Sequence, residues 1–396
     1  MTRFAALAPL ALALGCGGPP PAPTEPAKPA PPPPPVPVVV PAPPPAPPVA
    51  APTPKSKAPA PFPGVARVAP KAKIPLPGKF EESAYGNSLQ LSADGKRVAF
   101  GVRNADGQSW TQVWDLSGPP RALATLPKGS PAGLRVLAPS GRRVVTAEAL
   151  VFDVDTGKQV CRLPDSFFSH GYFRDDDTLV FTQRSHGFDK AEKKPVRVWN
   201  VATNADAGSF DVPDDRFQTA APTRGGAEFW LMMAAGKFEV ECYDVATRKL
   251  VRTLRPEPAD PARPFTSAGT NTAVAPDGAV FTSRTDRQRF YDGTTGKDVG
   301  SLPAGGGLGG QDGGLVFHGP RYLARNFALA DNQKDTRPEV VVWDWRAGKA
   351  RAVLTGLAET PGAAALAAFS PDGRTVAAAY RESAEVWVYD VGSTAD

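Results

Sequence analysis

Histidine is nearly missing from this chain, with only His170, His186 and His318 among 396 residues. Metal-dependent and histidine-based catalytic sites need such side chains clustered with cysteine or carboxylate partners at ligand spacing, and three scattered copies offer no such cluster. Cysteine is equally scarce, at Cys16, Cys161 and Cys242. Long apolar runs are lacking too. The one near the start, residues 4–14, is too short to span a bilayer. Residues 305–314 hold seven glycines, but no Gly-Lys-Ser/Thr follows them, so they read as a connection and not as a phosphate cradle. The formal charge of +5 is no sign of nucleic-acid binding either. Residues 1–73 carry +6 of it, which leaves the remainder close to neutral. The expectation is therefore no catalytic constellation, no metal, no cofactor and no nucleic acid.

What the chain does have is a repeat. An aromatic residue followed by Asp or Asn, then a small turn, occurs seven times: Trp114-Asp115, Phe152-Asp153, Trp199-Asn200, Tyr243-Asp244, Tyr291-Asp292, Trp343-Asp344 and Tyr389-Asp390. Successive acidic or Asn positions lie 38, 47, 44, 48, 52 and 46 residues apart, close to the period of a four-stranded propeller blade and too long for helical-pair or leucine-rich repeats.

Turn chemistry divides each period. Ser92-Ala93-Asp94-Gly95, Ala138-Pro139-Ser140-Gly141, Asp175-Asp176-Asp177, Ala275-Pro276-Asp277-Gly278 and Ser370-Pro371-Asp372-Gly373 read as hairpins, with Pro presetting φ and Gly accepting a positive φ. Short β-branched and aromatic runs follow at 96–102, 142–148, 178–184, 228–234, 279–285, 322–328 and 375–381, each predicting a second strand. The third strands end in the aromatic pair and are bulky on both faces, as expected of a blade sandwiched between neighbours. Turns such as Asp155-Thr156-Gly157-Lys158 lead into fourth strands. The last repeat has no room for a fourth strand before Asp396. Residues 72–78, Ala-Lys-Ile-Pro-Leu-Pro-Gly, look like one, so they are expected to close the ring on the last blade and remove two open sheet edges.

The aromatic-Asp pairs and Pro-Asp-Gly turns over residues 72–392 resemble the WD-repeat propeller family. The resemblance implies an all-β, seven-bladed β-propeller of four-stranded antiparallel blades acting as a binding platform. The family's Gly-His opening dipeptide is missing from nearly every repeat, and the Pro-Asp-Gly turns suit propellers resembling the bacterial TolB type equally well, so the subfamily stays open. Asp153-Val154-Asp155 and Asp175-Asp176-Asp177 look superficially like calcium loops, but neither continues to a closing acidic residue, and the repeat explains them as turns.

Residues 1–16 read as a secretory signal, and Leu12-Ala13-Leu14-Gly15-Cys16 is similar to a bacterial lipobox, which makes Cys16 the expected lipidation site. An ordinary signal peptide with a coincidental Cys is the alternative. Residues 17–71 form a Pro/Ala-rich linker, with 23 of the 46 prolines in residues 19–63; such a segment cannot bury a core and should be an extended tether. Residues 393–396 form a tail. Export with a lipid anchor would place the chain on the bacterial cell envelope. Cys161 and Cys242 fall in different blades, too far apart for a disulfide.

Candidate binding residues come from the uneven lengths of the connections between second and third strands, which emerge on one face of a propeller. Those of residues 183–195 and 325–338 are long. The first holds His186, Phe188 and Lys190, the second Arg325, Phe327 and Asn332, and Trp110 joins them from the first repeat. Exposed Phe, Trp and Arg are enriched at interface hot spots. The leading expectation is a non-enzymatic scaffold for a protein partner. The alternatives are a propeller enzyme or small-ligand binder whose residues meet in the central channel, and a purely architectural spacer.

Overall fold

The computed structural model describes residues 64–392 except 82–88, 127–133, 147, 165–167, 184–192, 214–216, 234–238, 257–272, 285–287, 302–315, 319–321, 328–338, 357–364, 371–372 and 381–382. They form a seven-bladed β-propeller. In chain order the first to fourth strands are Leu89–Leu91, Arg97–Arg103, Ser109–Asp115 and Arg121–Thr125 in blade one, and Leu134–Leu137, Arg143–Thr146, Leu150–Asp153 and Gln159–Arg162 in blade two. Blade three has Phe168–Phe173, Thr178–Gln183, Lys193–Asn200 and Ala205–Pro213, and blade four has Phe217–Thr223, Glu228–Met233, Glu239–Asp244 and Lys249–Leu254. Blade five has Ala273–Val274, Val280–Arg284, Gln288–Asp292 and Asp298–Ser301, and blade six has Val316–His318, Tyr322–Phe327, Glu339–Asp344 and Lys349–Leu354. Blade seven takes Ala365–Phe369, Thr375–Tyr380 and Glu385–Asp390 from the end of the chain.

Its fourth strand is Ala72–Pro75, antiparallel to Glu385–Asp390 with Ala72 opposite Val388 and Ile74 opposite Val386. The expected closure is therefore present. The following Lys79–Phe80 pairs with Arg103 and Val102, in line with the first strand of blade one. First strands of successive blades meet all the way round, and that of blade seven meets that of blade one.

The core is not central. It consists of seven apolar clusters, each between two consecutive blades, because neighbouring residues of one strand point to opposite sides. Val340 and Val342 pack toward blade seven, while Val341 and Trp343 pack toward blade five. Ala377 and Ala379 face blade one, whereas Val376, Ala378 and Tyr380 face blade six. Seven blades with seven such interfaces require a closed ring.

The repeated aromatic residue has one role throughout. Phe152, Trp199, Tyr243, Tyr291, Trp343 and Tyr389 each pack against the preceding blade, and Trp114 does the same against the closing interface of blades seven and one. In blades one to six the register between third and fourth strands slips just before this residue, leaving Leu123, Val160, Ala207, Val251, Val299 and Arg351 as unmatched bulge residues on the fourth strand. A bulge adds local twist and breaks the regular pairing of an edge at that point. It also accounts for the exposure of Val251 and Val299, 53% and 47%.

Candidate functional site

The antiparallel order of each blade sorts the connections onto two faces. Links between first and second and between third and fourth strands share one face. Links between second and third strands, and those passing from blade to blade, share the other.

The first face is built from tight turns stapled to each other. Gly95, Gly141, Gly278 and Gly373 have φ of 67°, 74°, 70° and 69°, and each donates its N–H to the residue three earlier, as the turn chemistry requires. The acidic or Asn member of each aromatic pair caps the next turn. Asp153 accepts from both the N–H and the hydroxyl of Thr156, and Asn200, Asp244 and Asp292 do the same with Thr203, Thr247 and Thr295. These bonds hold Asp244 and Asp292 below the usual carboxylate range, and the Ser117 hydroxyl and N–H with Arg121 bring Asp115 to about 2. Turn then binds turn across blades. Ala93 donates to the Pro139 carbonyl at 2.6 Å, Arg97 meets Asp155 at 2.8 Å, Arg143 reaches Asp177 at 3.5 Å, and Arg248 donates to the Ala207 carbonyl at 2.7 Å. The calcium-like Asp runs are consumed in these contacts. Among the described residues no group of three His, Cys, Asp or Glu side chains is placed to hold a metal ion.

The candidate residues were expected on the other face, and the structure redraws that set. Trp110 is not a loop residue. The connection after Arg103 is a tight hairpin in which Gly107 takes φ 77° and the Asn104 side chain accepts the Gln108 N–H. Trp110 therefore lies on the third strand opposite Val102, 5% exposed, packed with Phe80 and Phe100 in the closing interface. It is a core residue and is withdrawn from the binding surface. Arg325 and Phe327 also lie on a strand, opposite Val341 and Glu339, because the second strand of blade six runs three residues into the segment read as loop. Likewise Lys193–Asn200 begins inside the long connection of blade three, where Lys193 to Pro195 pair with Pro213 to Asp211 as a two-stranded extension beyond the second strand. Cys16, His186, Phe188, Lys190 and Asn332 lie outside the described residues. Cys161 and Cys242 are buried thiols in blades two and four, outside any disulfide, and burial pushes the Cys161 thiol up.

At the ring's inner wall the Gln90 side chain imitates a backbone amide. Its Nε2 donates to the Arg135 carbonyl and its Oε1 accepts the Leu137 N–H, both at 2.8 Å, tying the first strands of blades one and two. One polar cluster had no motif to announce it. In blade four the buried Glu228 carboxylate accepts from Trp230 Nε1 at 2.8 Å and from Arg252 at 2.9 Å, and the Arg252 guanidinium lies 5.1 Å over the Trp230 ring. The sole hint in the sequence was a carboxylate inside an otherwise apolar strand.

No protein-family model matches the chain, and no curated protein does. Solved structures match widely, with 1265 chains resembling it, which marks a common architecture. One is a chain in the crystal structure of the mitotic checkpoint complex, 16% identical, with a TM-score of 0.57 over 86% of this chain and 96% of that one. At that identity the likeness establishes the fold.

Proposed function

We propose that this chain is a non-enzymatic propeller, exported and lipid-anchored at Cys16 to the bacterial cell envelope, that binds a protein partner through the face carrying its second-to-third connections. The observation that carries this reading is the inequality of the two faces. One is closed by turn-to-turn hydrogen bonds and ion pairs, while the other carries the two-stranded extension of blade three; the connections 184–192 and 328–338, read as long in the sequence, lie outside the described residues. Long insertions on a single face of a repeat ring are where such rings bind. The leader 1–16 and the Pro/Ala-rich residues 17–63 supply export and reach, and a propeller seen in a multiprotein complex is a platform of the kind proposed.

In-cell crosslinking of the tagged chain followed by detergent extraction and mass spectrometry tests the reading. One dominant partner is expected, lost on replacing Phe188 and Phe327 with Ala while the melting temperature holds. Recovery of the chain alone would move the function to a ligand in the channel. A Cys16→Ser form that stays in the membrane fraction would remove the lipid anchor from the proposal.

A further inference from the structure

Blade six has five strands. Ala66–Val68 is added outside Lys349–Leu354, with Ala66, Arg67 and Val68 opposite Ala352, Val353 and Leu354. This pairing is parallel, whereas every other pairing among the described strands is antiparallel, so the segment is laid onto a finished blade instead of completing one. The seat is shaped for it. Val65 packs on the cluster between blades five and six, and Val68 packs on the cluster between blades six and seven. Thr355 donates both its N–H, at 2.9 Å, and its hydroxyl, at 3.1 Å, to the Val68 carbonyl. Gly356 has φ 77°, and a Cβ there would come within 3.2 Å of Pro70.

We propose that the outer edge of blade six is a strand-addition site, whose resident occupant, residues 65–70, is displaced by an extended partner peptide of the same chemistry: β-branched, small, cationic, β-branched, small, proline. Main-chain pairing supplies general affinity in strand addition, and side-chain seats supply selectivity; here the seats are those of Val65 and Val68. Only three residues pair and Ala66 and Arg67 are exposed, so the resident strand is the weakly held part of this segment. Displacement stops at Lys71, whose N–H is held by the Val388 carbonyl at 2.8 Å, and the buried Ile74 keeps the ring closed. Exchange frees six residues, about 20 Å of extended chain at about 3.3 Å each, so partner binding lengthens whatever tether precedes the propeller. The site is on the rim and does not depend on the face proposed above.

The test uses the full chain and a fluorescein-labelled peptide copying residues 63–71. In the wild type a covalently linked occupant competes at an effective concentration of about millimolar, so binding is expected only at that level of peptide. The double variant Val65→Asp/Val68→Asp releases the occupant and is expected to bind the peptide at least about tenfold more tightly, by fluorescence anisotropy, with slowed amide exchange at Thr355 on binding. Equal affinity in wild type and variant, or exchange at Thr355 that the peptide leaves unchanged, overturns the proposal. If the double variant does not melt cooperatively, Val68→Ser takes its place and the same two outcomes decide.

Discussion

Tyr389, the last aromatic of the repeat, donates its hydroxyl to the Thr355 carbonyl of blade six across 3.0 Å. The same Thr355 holds Val68, so one residue joins blade seven, blade six and the added strand. Tyr389 is fully buried, and burial pushes its phenol well above the ordinary range, so the hydroxyl stays protonated as a donor. Tyr389→Phe removes that donor and keeps the ring in place. A loss of about 1–2 kcal/mol is expected by urea unfolding, together with faster amide exchange at Thr355. A variant as stable as wild type would mean that the bond contributes nothing.

Arg252 and Glu228 make a sharper case, because the carboxylate is buried, with the Glu228 side chain 7% and Arg252 21% exposed. Removing one partner leaves an uncompensated charge, so Arg252→Met should cost about 3 kcal/mol or more in chemical denaturation. Changing both, Glu228→Leu with Arg252→Met, should recover most of that loss. If the double variant is no more stable than the single one, the carboxylate is held by Trp230 and not by the arginine.

Acid should weaken the ring through its turn caps. Asp115, Asp244 and Asp292 titrate below their unfolded value because turn hydroxyls and N–H groups bond the ionised form. Their contribution is fully present above the unfolded value, near 4, and is lost as pH falls through each depressed folded value, which for Asp115 is about 2. Thermal melting across that interval should show a steady fall, and Asp292→Asn should flatten it. A melting temperature constant over that range would exclude the caps as its source.

In blades two to six the turn residue before the fourth strand gives a backbone test. Gly157, Gly296 and Gly348 are left-handed there, with φ of 66°, 73° and 60°, and blades three and four use Asn204 and Arg248 at 51° and 61°. A Cβ on Gly157 meets nothing within 4 Å, so Gly157→Ala isolates the conformational cost, about 1 kcal/mol. Arg248 bears that cost while bonding the Ala207 carbonyl of blade three, so Arg248→Gly trades strain against a lost bond and should change stability by less. Calorimetry on the two variants checks the ordering.

The blades were legible because each is announced by an aromatic that must face the preceding blade, and four of them also by a turn that needs Gly. Second strands such as Thr178–Gln183 and Thr375–Tyr380 fall within a residue of the expected limits. Trp110 was misread because an aromatic just after a hairpin looks the same whether it faces solvent or a neighbouring blade. Its burial depends on Phe80, thirty residues away in sequence. The added strand Ala66–Val68 was illegible for a related reason. Three residues flanked by prolines carry no periodicity, and their partners lie almost at the other end of the chain, so the linker was expected to run to residue 71.

Ring closure supplies the most consequential prediction. Ile74 and Phe80 come from the N-terminal segment, are 0% and 1% exposed, and pack with Val386, Val388, Phe100 and Val102 between the last blade and the first. Each truncation to Ala removes a fully buried side chain, so a cost of about 2–5 kcal/mol apiece is expected. Because the blades share interfaces around the whole circle, that loss should lower one cooperative transition and not split off a single blade. Deleting residues 72–80 removes the fourth strand of blade seven outright and exposes the edge of Glu385–Asp390, so aggregation should accompany the destabilisation. Thermal unfolding followed by tryptophan fluorescence and by light scattering separates the two effects. An unchanged transition after the deletion would show that the ring holds without its clasp.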